Sequence, residues 1–379
     1  MPAFDIAIIG SGIAGAGAAY ELSQGAKVAL LEREDAHGYH TTGRSAALYI
    51  EAYGNAVIGG LTRASRAFFE APPDGFASYP LLTPRGCLYI GRADQADALA
   101  RTFDKAQGTM QALNRDAVLD RVPVLRGDYV ASGLIEPAAM DADVEALHQG
   151  FLRGARARGA DIRLGEEVTG IERRAGGFMV RCASGAAFEA QVVVNAAGAW
   201  ADRVGELAGA QPIGLQPLRR TAVIVDAPPE RDVRAWPAVI DADEQFYFKP
   251  DAGRILASPA DETPSDPCDA WADDMDVAVC IERVQAAADI PVRRIVRSWA
   301  GLRSFVADRS PVIGFDDGLP GFFWLAGQGG YGVQTAPAAA RTAAALARGE
   351  GLPADVAAQG VTLESLSPGR LRQHGHLRP

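Results

Sequence analysis

Three glycines near the start constrain this chain more than any other feature. Gly10, Gly12 and Gly15 stand in the run Gly-Ser-Gly-Ile-Ala-Gly, between an apolar stretch from Phe4 to Ile9 and a small-residue stretch that reaches Ser23. A second apolar run from Lys27 to Leu31 then ends in Glu32 and Arg33. This order predicts strand, glycine turn, helix and second strand, the unit that cradles a dinucleotide. Gly10 permits the tight turn, Gly12 lets backbone approach the phosphates, and Gly15 lets helix and strand pack closely. Ile13 and Ala14 open the helix, whose positive end faces the pyrophosphate. Glu32 falls about 20 residues after the first glycine, where an acid accepts a ribose hydroxyl. An acid there repels a 2′-phosphate, which sets NADP aside and leaves NAD and FAD open.

Composition narrows the class. At 379 residues the chain exceeds one ordinary core, so two domains are expected. A formal charge of −10 argues against nucleic acid as a partner and gives no attraction to anionic lipid. The four cysteines, Cys87, Cys182, Cys268 and Cys280, form no CxxC pair. Scattered thiols fit a reducing cytoplasm better than a disulfide framework. The histidines, His37, His40, His148, His374 and His376, do not combine with them at zinc spacing, so no metal is expected. No apolar run approaches the ~20 residues of a membrane span, and no basic region precedes the first strand as in a signal peptide.

Along the chain, Arg33 to Gly43 reads as a loop, and the small residues Arg44 to Ala47 suit a helix starting against a ligand. Residues 61–70 have helical spacing, and Pro72, Pro73, Pro80 and Pro84 mark a turn-rich crossing. Cys87 to Ile90 reads as a strand and 94–113 as a polar helix. Val144 to Arg158 reads as a helix closed by Gly159. A small meander follows from Val168, then a buried strand ending at Asn195. Residues 211–305 are strand-rich, interrupted by one helix over Met275 to Ala288. The last block is an apolar strand, a glycine turn at 327–332 and an alanine-rich helix from Thr335 to Ala347. The tail after Pro368 reads as loosely ordered.

With these residues in hand, the chain resembles the FAD-dependent D-amino acid oxidase-like family, and in particular its bacterial D-arginine dehydrogenases. The strings that carry the resemblance are Gly38 to Ala47 (GYHTTGRSAA), Asn195 to Trp200 (NAAGAW), Trp299 to Asp308 (WAGLRSFVAD) and Gln328 to Gly332 (QGGYG). The resemblance implies an α/β (α+β) fold in which a Rossmann-like FAD-binding domain is interleaved with a substrate domain built on a largely antiparallel sheet. Residues 1–80, 141–205 and 300–379 would form the first domain, and 81–140 and 206–299 the second. It implies non-covalent FAD, with Thr42, Arg44, Ser45, Ala46 and Ala47 running past the pyrophosphate and flavin. Val168 would meet the adenine side, and Ala197, Gly198 and Trp200 would pack near the cofactor. Gly301, Gly330, Tyr331, Gly332 and Thr335 would surround the ring. Tyr53, Arg220, Tyr247, Arg303 and Gly330 would face the substrate.

Oxidation of an amine by a flavin moves the α-hydrogen, formally as hydride, to N5, so the protein must orient the substrate. Arginine suits a bidentate grip on an α-carboxylate, which gives Arg303 and Arg220 a purpose. In Phe246-Tyr247-Phe248, strand alternation turns Tyr247 opposite to its neighbours. A helix starting after the 327–332 turn would stabilise the negative charge of reduced flavin. No acid–base pair is required once the amine is neutral. Two positions depart from the D-arginine dehydrogenase pattern. Its guanidinium-binding acid aligns with Cys87, and a histidine at the flavin edge aligns with Leu48. An unpaired cationic side chain would lose roughly 3–5 kcal/mol. Glu51, in a nearby turn, is the one alternative source of that charge.

The expected reaction is therefore oxidation of an apolar D-amino acid to its imino acid, then hydrolysis to a 2-oxo acid and ammonia. The rivals are the same fold acting on a secondary or cyclic amino acid or a 2-hydroxy acid, and a flavin-binding protein without turnover. No motif identifies the electron acceptor or separates an oxidase from a dehydrogenase.

Overall fold

A computed structural model describes residues 3–106 and 108–373; His374 and His376 lie outside them. Its first sheet has eight strands. Ala3–Ile9 pairs in parallel with Val28–Leu31 on one side and with Ala187–Asn195 on the other. Asp161–Arg163 extends the sheet beyond Val28–Leu31, and Phe322–Ala326 pairs in parallel with the end of Ala187–Asn195. The meander Val168–Arg174, Gly177–Cys182 and Ala187–Asn195 is antiparallel.

The central parallel strands are mostly apolar because both their faces are covered. Ile6, Ile8, Val28 and Leu30 face helices Ile13–Leu22, Val144–Ala157 and Gly332–Ala347. Ala7, Ile9, Ala29 and Leu31 face a second core with Val204, Trp324 and Ala326. The first and last of these helices pack closely because their contact is built from small residues. A Cβ on Gly17 would stand 3.0 Å from the Ala340 Cβ.

The second sheet has nine strands and is antiparallel except where Ala238–Asp241 runs beside Cys87–Gly91. Its longest pair joins Gln216–Asp226 to Ile295–Phe305. Helix Asp274–Ala287 contributes Cys280, Val284 and Ala287 to the core on one face, with Val223, Val239 and Phe248. Tyr247 and Ile240 belong to a separate cluster and line the cleft beside the glycine turn of the first sheet. A three-stranded sheet of Leu48–Tyr49, Met140–Ala142 and Leu82–Pro84 adjoins them. No helix among the described residues is long and apolar enough to cross a membrane.

The structure corrects three local readings. The helix expected over 94–113 covers only Ala96–Lys105, and Gln111–Asn114 is a strand because it pairs with Ser132–Ile135. Arg44 to Ala47 is no helix. One 3-10 turn, Thr42–Arg44, leads into extended backbone, and the Ser45 hydroxyl accepts the Ala47 amide at φ +45°. Beyond Pro368, Gly369–Gln373 is helical, tied by Arg370 to Asp308 at 2.7 Å.

Tyr20, Phe68, Phe76 and Phe151 form a contiguous aromatic cluster with ring centroids 4.9–6.4 Å apart. Phe151 is fully buried in it. Phe151→Ala is expected to destabilise the protein by about 3–5 kcal/mol, read as a lowered denaturant midpoint with unchanged slope.

Candidate active site

A cleft of two connected lobes runs between the first glycine turn and the second sheet. Gly10 adopts φ +97°, and a Cβ there would lie 2.6 Å from the Ala196 carbonyl. A Cβ on Gly15 would lie 1.9 Å from the Gly10 carbonyl, so Gly15 acts behind the turn and lines neither lobe. Helix Ile13–Leu22 has no side-chain cap and no acid in its first turn, and the Ile13 amide donates to the Thr42 hydroxyl at 3.0 Å. Its positive end is thus available to an anion.

The outer lobe is lined by Gly10, Glu32, Arg33, Val168, Ala197, Gly198 and Trp200. Glu32 is fixed from several sides. Its Oε2 accepts the Ser11 amide and hydroxyl, both at 2.8 Å, and its Oε1 accepts the Glu34 amide at 3.1 Å. Arg33 lies over the Trp200 ring, 5.1 Å from its centroid. His37 supports the arrangement from outside. Arg156 donates to its Nε2 at 2.8 Å, so its Nδ1 carries the hydrogen given to the Ser11 hydroxyl. Burial, helped by Arg156, lowers the His37 pKa and keeps the ring neutral.

Gly12 and Thr42 line both lobes. The inner lobe adds Ile13, Ala14, Arg44, Ser45, Ala46, Ala47, Gly301, Gly330 and Gly332. Arg44 turns out of the lobe and ties the sheets together. It donates to the Ala270 and Ala300 carbonyls at 2.8 and 3.1 Å and pairs with Asp269. Trp299 Nε1 returns a bond to the Arg44 carbonyl at 3.0 Å. Two lining residues unforeseen in the sequence, Ser304 and Gln328, carry a hydroxyl and an amide nitrogen that are buried without partners. Such groups are costly unless something bonds them. A flat heteroaromatic ring with polar edges suits this lobe.

One end of the inner lobe is cationic. Arg220 stands opposite Gly301 in the paired strands, and Arg303 is two residues further along, so both guanidinium groups rise from one face. Arg303 donates to the Tyr53 hydroxyl at 3.3 Å and has no carboxylate partner among the described residues. Burial works against its charge, yet the neighbouring Tyr53 and Tyr247 hydroxyls hold its pKa above the ordinary value. A Cβ at Gly330 would lie 2.5 Å from Arg303 Cζ, so a side chain there would push the guanidinium out of its present position. Tyr53 and Tyr247 line the same end, with Leu48, Ile50 and Ile240 forming an apolar wall.

Four predicted residues stand elsewhere. Cys87 is fully buried behind Leu48 and Tyr247 and does not line the cleft; burial pushes its thiol far up. Glu51 points to Arg66 at 2.8 Å and lines an outer vestibule. Tyr331 also faces that vestibule, packed edge-on against Tyr53 at 4.9 Å. Thr335 is buried, its hydroxyl turned back to the Tyr331 carbonyl at 2.8 Å. The acid nearest Cys87 is Glu136, its direct cross-strand neighbour, which the sequence analysis missed. Sheet register alone reveals it. Gln334 was missed too; its amide holds both backbone groups of Ile50, at 3.1 and 3.3 Å.

Glu136 is fully buried. Its Oε1 accepts the Glu51 amide at 2.9 Å and its Oε2 has no partner. Burial raises its pKa to about 7. The folded state therefore favours the protonated form, and the advantage is lost as pH rises from about 4.5 toward and past 7. Relative to Glu136→Gln, the wild type is expected to lose up to about 3 kcal/mol of stability between pH 5 and 8. Parallel denaturant titrations at the two pH values check this.

A cleft that joins a dinucleotide turn to a glycine-walled lobe with a cationic end defines a flavin-dependent oxidoreductase. The family model for DAO, FAD dependent oxidoreductase, matches residues 5–346, and the chain belongs to that family. FAD is its cofactor. Glycine oxidase from Geobacillus kaustophilus is 26% identical over 350 residues, covering 88% of this chain and 90% of that protein. Hydrogen cyanide synthase subunit HcnC from Pseudomonas aeruginosa is 24% identical, covering 93% and 94%. In fold, the glycine oxidase structure from G. kaustophilus superposes with a TM-score of 0.81 over 92% of this chain and 96% of that one, at 24% identity. L-proline dehydrogenase from P. horikoshii does so with 0.79 over the full length of both, at 22% identity.

Proposed function

We propose that this enzyme oxidises an apolar D-amino acid to its imino acid, which water converts to a 2-oxo acid and ammonia. The observation that carries the proposal is Arg303, a guanidinium lining the inner lobe whose one side-chain partner among the described residues is a tyrosine hydroxyl. A buried cation of this kind calls for an anion. Arg303 and Arg220 grip the α-carboxylate, and the Tyr53 and Tyr247 hydroxyls donate to it or fix its orientation. Non-covalently bound FAD, when present, accepts two electrons and the α-hydrogen. The glycines at 301, 330 and 332 let backbone approach the ring, and Ser304 and Gln328 offer it hydrogen bonds. The start of helix Gly332–Ala347 favours negative charge on it. No histidine among the described residues lines this lobe, so the ammonium proton leaves to water.

The side chain rests on Leu48, Ile50, Ile240 and Tyr247. No carboxylate among the described residues lines it: Cys87 is a neutral thiol behind the wall, Glu136 is buried opposite Cys87 with its pKa raised to about 7, and Glu51 is paired with Arg66. This favours D-leucine, D-methionine or D-phenylalanine over D-arginine and D-lysine, despite the resemblance to D-arginine dehydrogenases. Glycine oxidase among the relatives supports an amino acid substrate.

Anaerobic mixing with a panel of D-amino acids, their L-isomers, sarcosine and D-arginine tests the reading. Apolar D-amino acids are expected to bleach the flavin fastest. Bleaching by L-isomers or sarcosine alone would overturn it. Arg303→Met should lower kcat/KM roughly 100-fold, about 3 kcal/mol, while FAD stays bound.

A further inference from the structure

Past Arg220 the cleft opens into a wide vestibule, and Arg220 lines both spaces. Arg220 is already engaged. Its Nε donates to the Asp261 carbonyl at 2.7 Å, and one terminal nitrogen reaches a Glu262 oxygen at 3.2 Å. Asp261 is itself fixed, accepting the Thr221 amide at 2.7 Å and the Thr221 hydroxyl at 3.0 Å. Glu262 is shared unequally. Arg309 grips it with two bonds, at 2.7 and 3.0 Å, while lying over the Phe305 ring with its Cζ 3.8 Å from the centroid. Burial would raise the Glu262 carboxyl, but Arg309, Arg220 and Arg303 together hold it below its ordinary range.

The backbone around this contact is strained. Glu244, Ala260 and Arg309 are non-glycine residues with φ of +54°, +54° and +59°, and all three line the vestibule. Strain of this kind persists only where surrounding structure imposes it, and it gathers at functional sites.

We propose that Glu262 is a displaceable internal counter-ion for Arg220, holding that guanidinium at the cleft mouth until a substrate carboxylate takes it over. The idea rests on Arg220 and Arg303 being the carboxylate grip. Without substrate, two guanidinium groups on one face repel each other, and Glu262 relieves the outer one. When a carboxylate enters, the single 3.2 Å bond is the one given up, because Arg309 keeps Glu262 in place with two shorter bonds. Asp261 retains Arg220 Nε throughout, so the guanidinium turns without leaving the site. Glu262 is thus a specificity-determining residue that sets carboxylate affinity by competition.

Competition requires opposite effects from the two partners of one ion pair. Benzoate and acetate, titrated into the FAD-loaded enzyme and followed by flavin absorbance, measure the affinity without turnover. In Glu262→Gln the dissociation constant is expected to fall about fivefold, the size of a partly exposed ion pair that no longer competes. In Arg309→Met it should rise about fivefold, because Glu262 then leans on Arg220 alone. The double variant should behave like Glu262→Gln. Glu244→Gln, which removes a vestibule charge without touching Arg220, should change affinity by less than about twofold. Weaker or unchanged binding in Glu262→Gln would make Glu262 a strut for Arg220 and overturn the proposal. A rise in Arg309→Met that persists in the double variant would do the same, since it would mark a general field effect. If Arg309→Met fails to fold, Glu262→Gln against Glu244→Gln decides. If neither carboxylate perturbs the wild-type flavin, the grip itself fails and the proposal with it.

Discussion

The pairing of Gln216–Asp226 with Ile295–Phe305 is the constraint on which the site depends. Its register puts Arg220 opposite Gly301 and Arg303 opposite Leu218, so two cations share one face. Two guanidinium groups this close repel, and the sheet holds them together only because burial of its other face is worth more. The same register leaves Gly301 where a side chain would touch Arg44, and Ser304 where its hydroxyl has no partner. A shift of one residue in this pairing would put the two arginines on opposite faces, one of them turned toward the helix-covered core.

The dinucleotide turn was legible because its physics is local. Gly10, Gly12, Gly15, Glu32 and the flanking apolar runs lie within one stretch of chain, and each glycine meets a steric limit that sequence spacing already encodes. Thr42, Val168, Trp200 and Gly330 needed the family resemblance, since nothing local marks them. What stayed hidden depends on register between distant strands. Glu136 becomes the neighbour of Cys87 only when Cys87–Gly91 pairs with Ser132–Glu136. Gln111–Asn114 read as helix because its polar pattern is compatible with either state, and its pairing decided. Glu51 looked like a replacement acid by proximity in sequence, but Arg66, one helix away, claims it.

Buried polar groups along the cleft fall into two sets. Those that shape the protein are saturated: Gln334 bonds Ile50 and Thr62, and Glu32 bonds Ser11 and Glu34. Those that face the lobe, Ser304 and Gln328, are left open. Unmet hydrogen-bonding capacity costs stability, and a group bound in the lobe would restore it at these two positions.

The Arg44 tie has a consequence for rigidity. Arg44 joins the segment after the first βαβ unit to Ala300 of the second sheet and to Asp269 and Ala270 in the loop before helix Asp274–Ala287. Relative motion of the cleft-lining segment and the second sheet therefore requires that charge-assisted bonds break together, and the geometry of the inner lobe is held by that clasp as much as by the strands themselves.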